Sequence, residues 1–202
     1  MSKLSITWNK FTVHKKHDAD QDTPYVWVFG IVVDVDTLRS GEYVIRRPAG
    51  HENLGKRFRK GEHVAVPRTL DIVRDVTPIL GTAVAGVVVV AWENAMTRDK
   101  VTEDAYDAAA DAINAFVARR IDAGNLEAPS DTEVEALGAA IRDDIRTTIR
   151  EGWTVFQLIP DHVIGQANCV VALTDTVTHA LDLRFTKPST DYQLQGELEF
   201  TA

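Results

Sequence analysis

Cysteine is almost missing from this chain. Its 202 residues include one, Cys169, so no disulfide can form within the chain and a disulfide-stapled scaffold is excluded. Serine is scarce as well. The five serines are Ser2, Ser5, Ser40, Ser130 and Ser189, and none sits in a Gly-x-Ser-x-Gly elbow. Basic residues are outnumbered, 22 against 30 acidic, which leaves a formal net charge of −8. That balance argues against a nucleic-acid partner, because phosphate neutralisation needs a basic face. It also disfavours anionic membranes unless a cation bridges the two surfaces. No glycine loop joins a strand to a helix in the manner of a phosphate cradle. No Glu-x-x-His pair occurs in the helical region, so a di-metal bundle site is not indicated. Internal repeats of 20 to 50 residues are absent, which excludes a solenoid.

Long apolar runs are few. The one to test as a membrane span is Ile79–Trp92, an uncharged stretch of 14 residues. A spanning helix needs roughly 20. The run is rich in valine and contains Gly81 and Gly86, so it reads as a buried strand in preference to an inserted helix. The first residues alternate in polarity and show no apolar block before a small-residue cleavage site. The expectation is therefore a cytoplasmic protein, with export by a route lacking a cleaved leader left open.

What is present reads as strands, then two helices, then strands. Leu4, Ile6 and Trp8 alternate, and Phe11 and Val13 resume out of phase, which predicts a bulge near Asn9-Lys10. A second strand is expected over 25–35. Tyr25, Trp27, Phe29, Ile31, Val33 and Val35 share one face, and Val26, Val28 and Val32 the other. A strand apolar on both faces is central and covered on both sides. Residues 39–62 carry Gly41, Pro48, Gly50, Gly55 and Gly61 and read as connection with at most one short strand. Short strands are expected at 63–66 and 70–76, followed by the valine strand at 84–92.

The middle of the chain changes period. Over 102–123, Tyr106, Ala109, Ala110, Ile113, Val117 and Ile121 form a helical stripe that ends before Gly124. Ser130-Asp131-Thr132-Glu133 is a capping-box pattern, and Val134, Leu137, Ile141, Ile145 and Ile149 continue from it as a second stripe. The short linker predicts an antiparallel hairpin whose stripe packs on a sheet, on its partner helix or on another subunit. Strands are expected at 153–158, 168–173 and 180–185. The cleanest is the final stretch, where Tyr192, Leu194, Leu198 and Phe200 alternate with Gln193, Gln195, Glu197 and Glu199. With no βαβ alternation, the predicted class is α+β. The expected architecture is a single domain over 1–202: an antiparallel β-sandwich of about eight strands, from 1–98 and 153–202, with a two-helix hairpin inserted at 99–152.

Carboxylates supply the most suggestive chemistry. Asp18, Asp20 and Asp22 alternate on a loop just before Thr23-Pro24-Tyr25, and such a set can converge on a hard cation with six to eight oxygen ligands. A solvated turn accounts for the same residues. A later turn holds Pro160-Asp161-His162-Val163-Ile164-Gly165. His14 and His17 read as a metal pair or as surface histidines. His51, His63, His162 and His179 are isolated, and of these His162 is the first choice for a ligand because it adjoins Asp161. Cys169 lies in the apolar NCVVAL stretch and reads as a small core residue. Arg46, Arg47, Lys56, Arg57, Arg59 and Lys60 form a basic cluster that could take phosphate groups or a partner, or could be a solvated loop.

The acidic loop running into Pro24-Tyr25-Val26, and Asp161-x-x-Ile164-Gly165 with Leu173 beyond it, resemble the two ligand loops of the C-two domain. That family is the calcium- and phospholipid-binding β-sandwich of the protein kinase C type. The resemblance implies Ca2+ held by Asp18, Asp20, Asp22 and Asp161 at one end of the sandwich. The departures are Thr23 in place of the aspartate before Pro-Tyr, Pro160 in place of the first late aspartate, and Gln157 and Ile159 in place of an alternating acidic pair upstream. They reduce the implied site to a single ion. No constellation of base, nucleophile and oxyanion donor can be named. The functional expectation is therefore a non-enzymatic binding module, Ca2+-dependent, that docks to a protein assembly or a phospholipid surface. Two alternatives stand beside it: a metal-free structural subunit that self-associates through the hairpin, and a membrane-active protein.

Overall fold

In the first strand, β1 (Ser2–Lys15), Leu4, Ile6 and Trp8 are buried, and Phe11 and Val13 return to the core after a slip. The slip is the expected bulge. The pairing of β1 with the last strand, β9 (Thr190–Thr201), shifts register between Trp8 and Lys10, so Asn9 is the extra residue. The computed structural model describes residues 2–16, 23–50, 53–55, 58–93, 99–125, 129–151 and 162–202.

These residues form an α+β structure with two antiparallel sheets. In the first sheet β1 is central. On one side it pairs with β9, which continues to β8 (Val177–Lys187). On its other side two short strands share its length: β4 (His63–Ala65) along Lys10–Thr12 and β5 (Ile72–Val76) along Ser2–Ile6. The second sheet has the order β3 (Val44–Arg46), β2 (Pro24–Val33), β6 (Ala83–Glu93), β7 (His162–Leu173). The described strands number nine against an expected eight or so.

All ten residues of β2 are buried, and its two faces serve different cores. Val26, Val28 and Val32 join Ala85, Val87, Val89 and Ala91 of β6 and the apolar residues of β1, β8 and β9 in one cluster between the sheets. Tyr25, Trp27, Phe29, Ile31 and Val33 face the other way with Val88, Val90 and Trp92. The valine run is therefore a central strand with a neighbour on each edge and apolar cover on each face. Among the described residues no helix is long and apolar enough to cross a membrane.

The second face is covered by helices. α2 (Asp99–Asp122) contributes Ala105, Tyr106, Ala109, Ala110, Ile113 and Val117, and α3 (Asp131–Glu151) contributes Leu137, Ile141 and Ile145. The hairpin's stripe thus packs on the sheet and on its partner helix at once. α2 begins at Asp99, three residues before the expected 102, while its stop and the start of α3 act as read from the sequence. Gly124 takes φ +70 after α2. At α3, Ser130 Oγ accepts from the Glu133 amide at 3.4 Å while a Glu133 carboxylate oxygen accepts from the Ser130 amide at 2.8 Å. Gly138 on α3 leaves a notch that Gln166 of β7 fills, since a Cβ there would lie 2.1 Å from the Gln166 side-chain nitrogen.

One helix was not expected. The strand predicted to reach Val35 ends at Val33, because Asp34 caps α1 (Val35–Ser40). The Asp34 carboxylate accepts from the Thr37 amide at 2.8 Å, the Thr37 hydroxyl accepts from the Asp34 amide at 2.8 Å, and Gly41 closes the helix at φ +72. The strand predicted at 153–158 lies outside the described residues.

Tyr106 fastens α2 to the sheet. Its ring stacks on Phe29 at 4.6 Å and meets Trp27 edge-on at 5.5 Å. Its hydroxyl accepts from the Arg47 amide at 2.7 Å and donates to the Val28 carbonyl at 3.4 Å. Burial pushes the Tyr106 phenol up from 10.0 to about 12. The folded state therefore holds the neutral phenol, and that contribution is complete below pH 10 and lost as pH rises towards 12. Tyr106→Phe is expected to cost about 1 kcal/mol at neutral pH through the lost hydrogen bonds. It should also flatten the fall in stability above pH 10, which denaturant melts at stepped alkaline pH will measure.

Candidate functional site

Register brings three strand ends together. Pro24, the first residue of β2, pairs with Glu93, the last of β6, and Glu93 pairs with His162, the first of β7. The three stand abreast at one end of the second sheet, and two strand spacings of about 4.8 Å each separate the outer pair. Pro24 follows the acidic stretch that contains Asp18, Asp20 and Asp22, and His162 follows Asp161 directly. All four aspartates lie outside the described residues. Of their covalent neighbours, Thr23 after Asp22 and His162 after Asp161 are the ones described, and consecutive Cα atoms are 3.8 Å apart. Asp22 is two residues from Pro24 and Asp161 one residue from His162.

Glu93 is a carboxylate at this end that sequence reading passed over. It terminates the uncharged run Ile79–Trp92. In the fold it is 5 % exposed, between Pro24 and His162. Among the described residues no group of three or more His, Cys, Asp or Glu is arranged to hold a metal ion.

The basic cluster is partly used within the fold. Arg46 bridges two aspartates one helical turn apart on α2, Asp107 at 2.6 Å and Asp111 at 2.8 Å. These pairs are exposed and each contributes little to stability, but they neutralise the arginine. The Arg47 guanidinium donates twice to the Thr69 carbonyl, at 3.1 and 2.8 Å. Arg59 and Lys60 are exposed. The Arg59 amide donates to the Glu62 carboxylate at 2.7 Å. Lys56 and Arg57 lie outside the described residues. What the structure gathers here is a polar lacing of α2 to β3, reinforced by Asn114, which accepts from the Tyr43 amide at 2.8 Å and donates to the Gly41 carbonyl at 3.1 Å.

The histidines are dispersed. A ring nitrogen of His14 lies 2.9 Å from the Gln193 side-chain oxygen. His63 and His179 are exposed on β4 and β8, and His17 and His51 lie outside the described residues. Cys169 is half-buried on β7, packed against the inter-sheet core, and burial pushes its thiol up, away from the reactive thiolate. Ser130 serves as the α3 cap, and Ser40 Oγ donates to the Thr37 carbonyl at 3.3 Å.

No family model, curated protein or solved structure matches the chain.

Proposed function

We propose that the protein is a non-enzymatic, calcium-dependent binding module built as a β-sandwich with a helical hairpin on one outer face. The observation that supports this reading is the register of Pro24, Glu93 and His162, which sets the residue two after Asp22 and the residue after Asp161 at one end of the second sheet. On this reading Asp18, Asp20, Asp22 and Asp161 supply the carboxylates. Clustered carboxylates favour a cation, and an all-oxygen set suits Ca2+. The bound ion would offset the net charge of −8 locally and present a positive point to an anionic partner surface.

The test is thermal. An ion that binds the native state alone at a hundred times its Kd adds about 2.7 kcal/mol. For a chain of this size that raises Tm by roughly 5–10 °C. The expected result is such a rise in millimolar CaCl2 over EGTA, lost in Asp20→Asn/Asp22→Asn and in Asp161→Asn. The Asp20→Asn/Asp22→Asn variant should also melt slightly higher than wild type in EGTA, because repulsion has been relieved. Calcium binding that survives both sets of substitutions would remove these loops as the site. Co-sedimentation with phosphatidylserine vesicles in calcium, but not in EGTA, would identify the partner surface as lipid.

A further inference from the structure

Sheet edges expose unpaired N–H and C=O groups, and proteins blunt them by shortness, by charge or by cover. Most edges of this fold are blunted. β3 and β4 are three residues each. β5 carries Arg74 and Asp75, and β8 carries Asp182, Arg184 and Lys187. β7 differs. It is twelve residues long, and Val163–Leu173 contains no charged residue and no proline. Among the described strands its one partner is β6. Lys187 donates to the Val163 carbonyl at its start. Gly165 to Val171 are all half-buried, whereas the residues of β6 that they oppose, Ala85–Ala91, are buried throughout.

We propose that β7 is a pairing edge for a second copy of this chain. The two β7 strands would run antiparallel about a two-fold axis and join the two four-stranded sheets into one. The occupant follows from charge. Near a two-fold axis each residue meets its own copy or a close neighbour, so any charge at the centre of the strand would face its like. The centre of β7, Gln166–Val171, has none. Gln166 is held in the Gly138 notch of α3, and Asn168, at the middle of the strand, carries an amide, which both donates and accepts and so complements itself. Two copies of a chain with net charge −8 repel except where charge is absent, and β7 is the long edge that lacks it. The inference stands apart from the calcium reading and uses none of its residues.

Sedimentation equilibrium on the full chain in EGTA tests it. The expected species at high concentration is twice 22.3 kDa, with β7 amides exchanging more slowly in concentrated than in dilute samples. Asn168→Lys, at the middle of the strand, should weaken the dimer by roughly tenfold or more through like-charge opposition. An equal mixture of Asn168→Lys and Asn168→Asp should restore it. A wild-type chain that stays monomeric at every concentration overturns the proposal, as does a dimer whose β7 amides are not slowed. A monomer in which β7 amides are already protected assigns the edge to the chain's own segment and also overturns it.

Discussion

Gly196→Ala is expected to destabilise the protein by about 3 kcal/mol, the upper part of the range for a forced overpacking. Gly196 sits on β9 opposite Trp8, immediately before the bulge in β1. A methyl group there would lie 2.3 Å from the Thr7 carbonyl oxygen and 2.8 Å from Trp8 Cε3. Neither neighbour can yield cheaply. The carbonyl belongs to the backbone of the central strand of its sheet, and Trp8 is 5 % exposed with its indole N–H donating to the Leu70 carbonyl at 3.1 Å. Gly165 provides the internal control. A methyl group there would stand 3.6 Å from its nearest neighbours on Phe185, an ordinary contact, so Gly165→Ala should change stability by no more than about 0.5 kcal/mol. Urea melts of the two variants side by side give the comparison. Equal effects would show that the close approach at Gly196 does not govern the first sheet.

Trp27→Ala is expected to cost about 4 kcal/mol, as large-to-small changes of buried aromatics do. Trp27 is fully buried, 4.3 Å from the Trp92 ring centroid and 5.5 Å from that of Tyr106. It is part of the aromatic floor on which α2 rests. The damage should therefore be uneven: amides of α2 and α3 should exchange faster than those of β1 and β9, whose core lies on the far side of the second sheet. Trp27→Phe should cost much less, about 1–2 kcal/mol. It keeps most of the ring area and removes a buried indole N–H that has no hydrogen-bond partner among the described residues. Uniform loosening of both sheets in Trp27→Ala would contradict the division into two cores.

The parts of the fold legible in the sequence are those set by local period. β2 divides its residues between two cores because alternation is a property of the strand alone, and β9 does the same with a wet face. The bulge at Asn9 was visible as a phase slip, and the α3 cap as Ser130 with Glu133 three residues on. Where two signals overlapped, the reading failed. The run Val32-Val33-Asp34-Val35 looks like continuing strand, yet Asp34-x-x-Thr37 and Gly41 enclose a short helix. β7 was expected to begin at Asn168 and begins at His162, because Gly165, Gln166 and a register shift against Ala91/Trp92 interrupt the apolar pattern. Pairing order is not a local property, and the site depends on it. Nothing in the sequence places Glu93 beside Pro24 and His162. That neighbourhood comes from β6 lying between β2 and β7, which are separated by more than a hundred residues.

A calorimetric titration of the full chain with CaCl2, set against Asp161→Asn, bears most directly on the proposed calcium site. The account predicts a saturable heat for the wild type at a stoichiometry near one and its loss in the variant, with the fold unchanged by circular dichroism. A wild-type chain that gives only heats of dilution, or an Asp161→Asn chain that binds as tightly as the wild type, would contradict it.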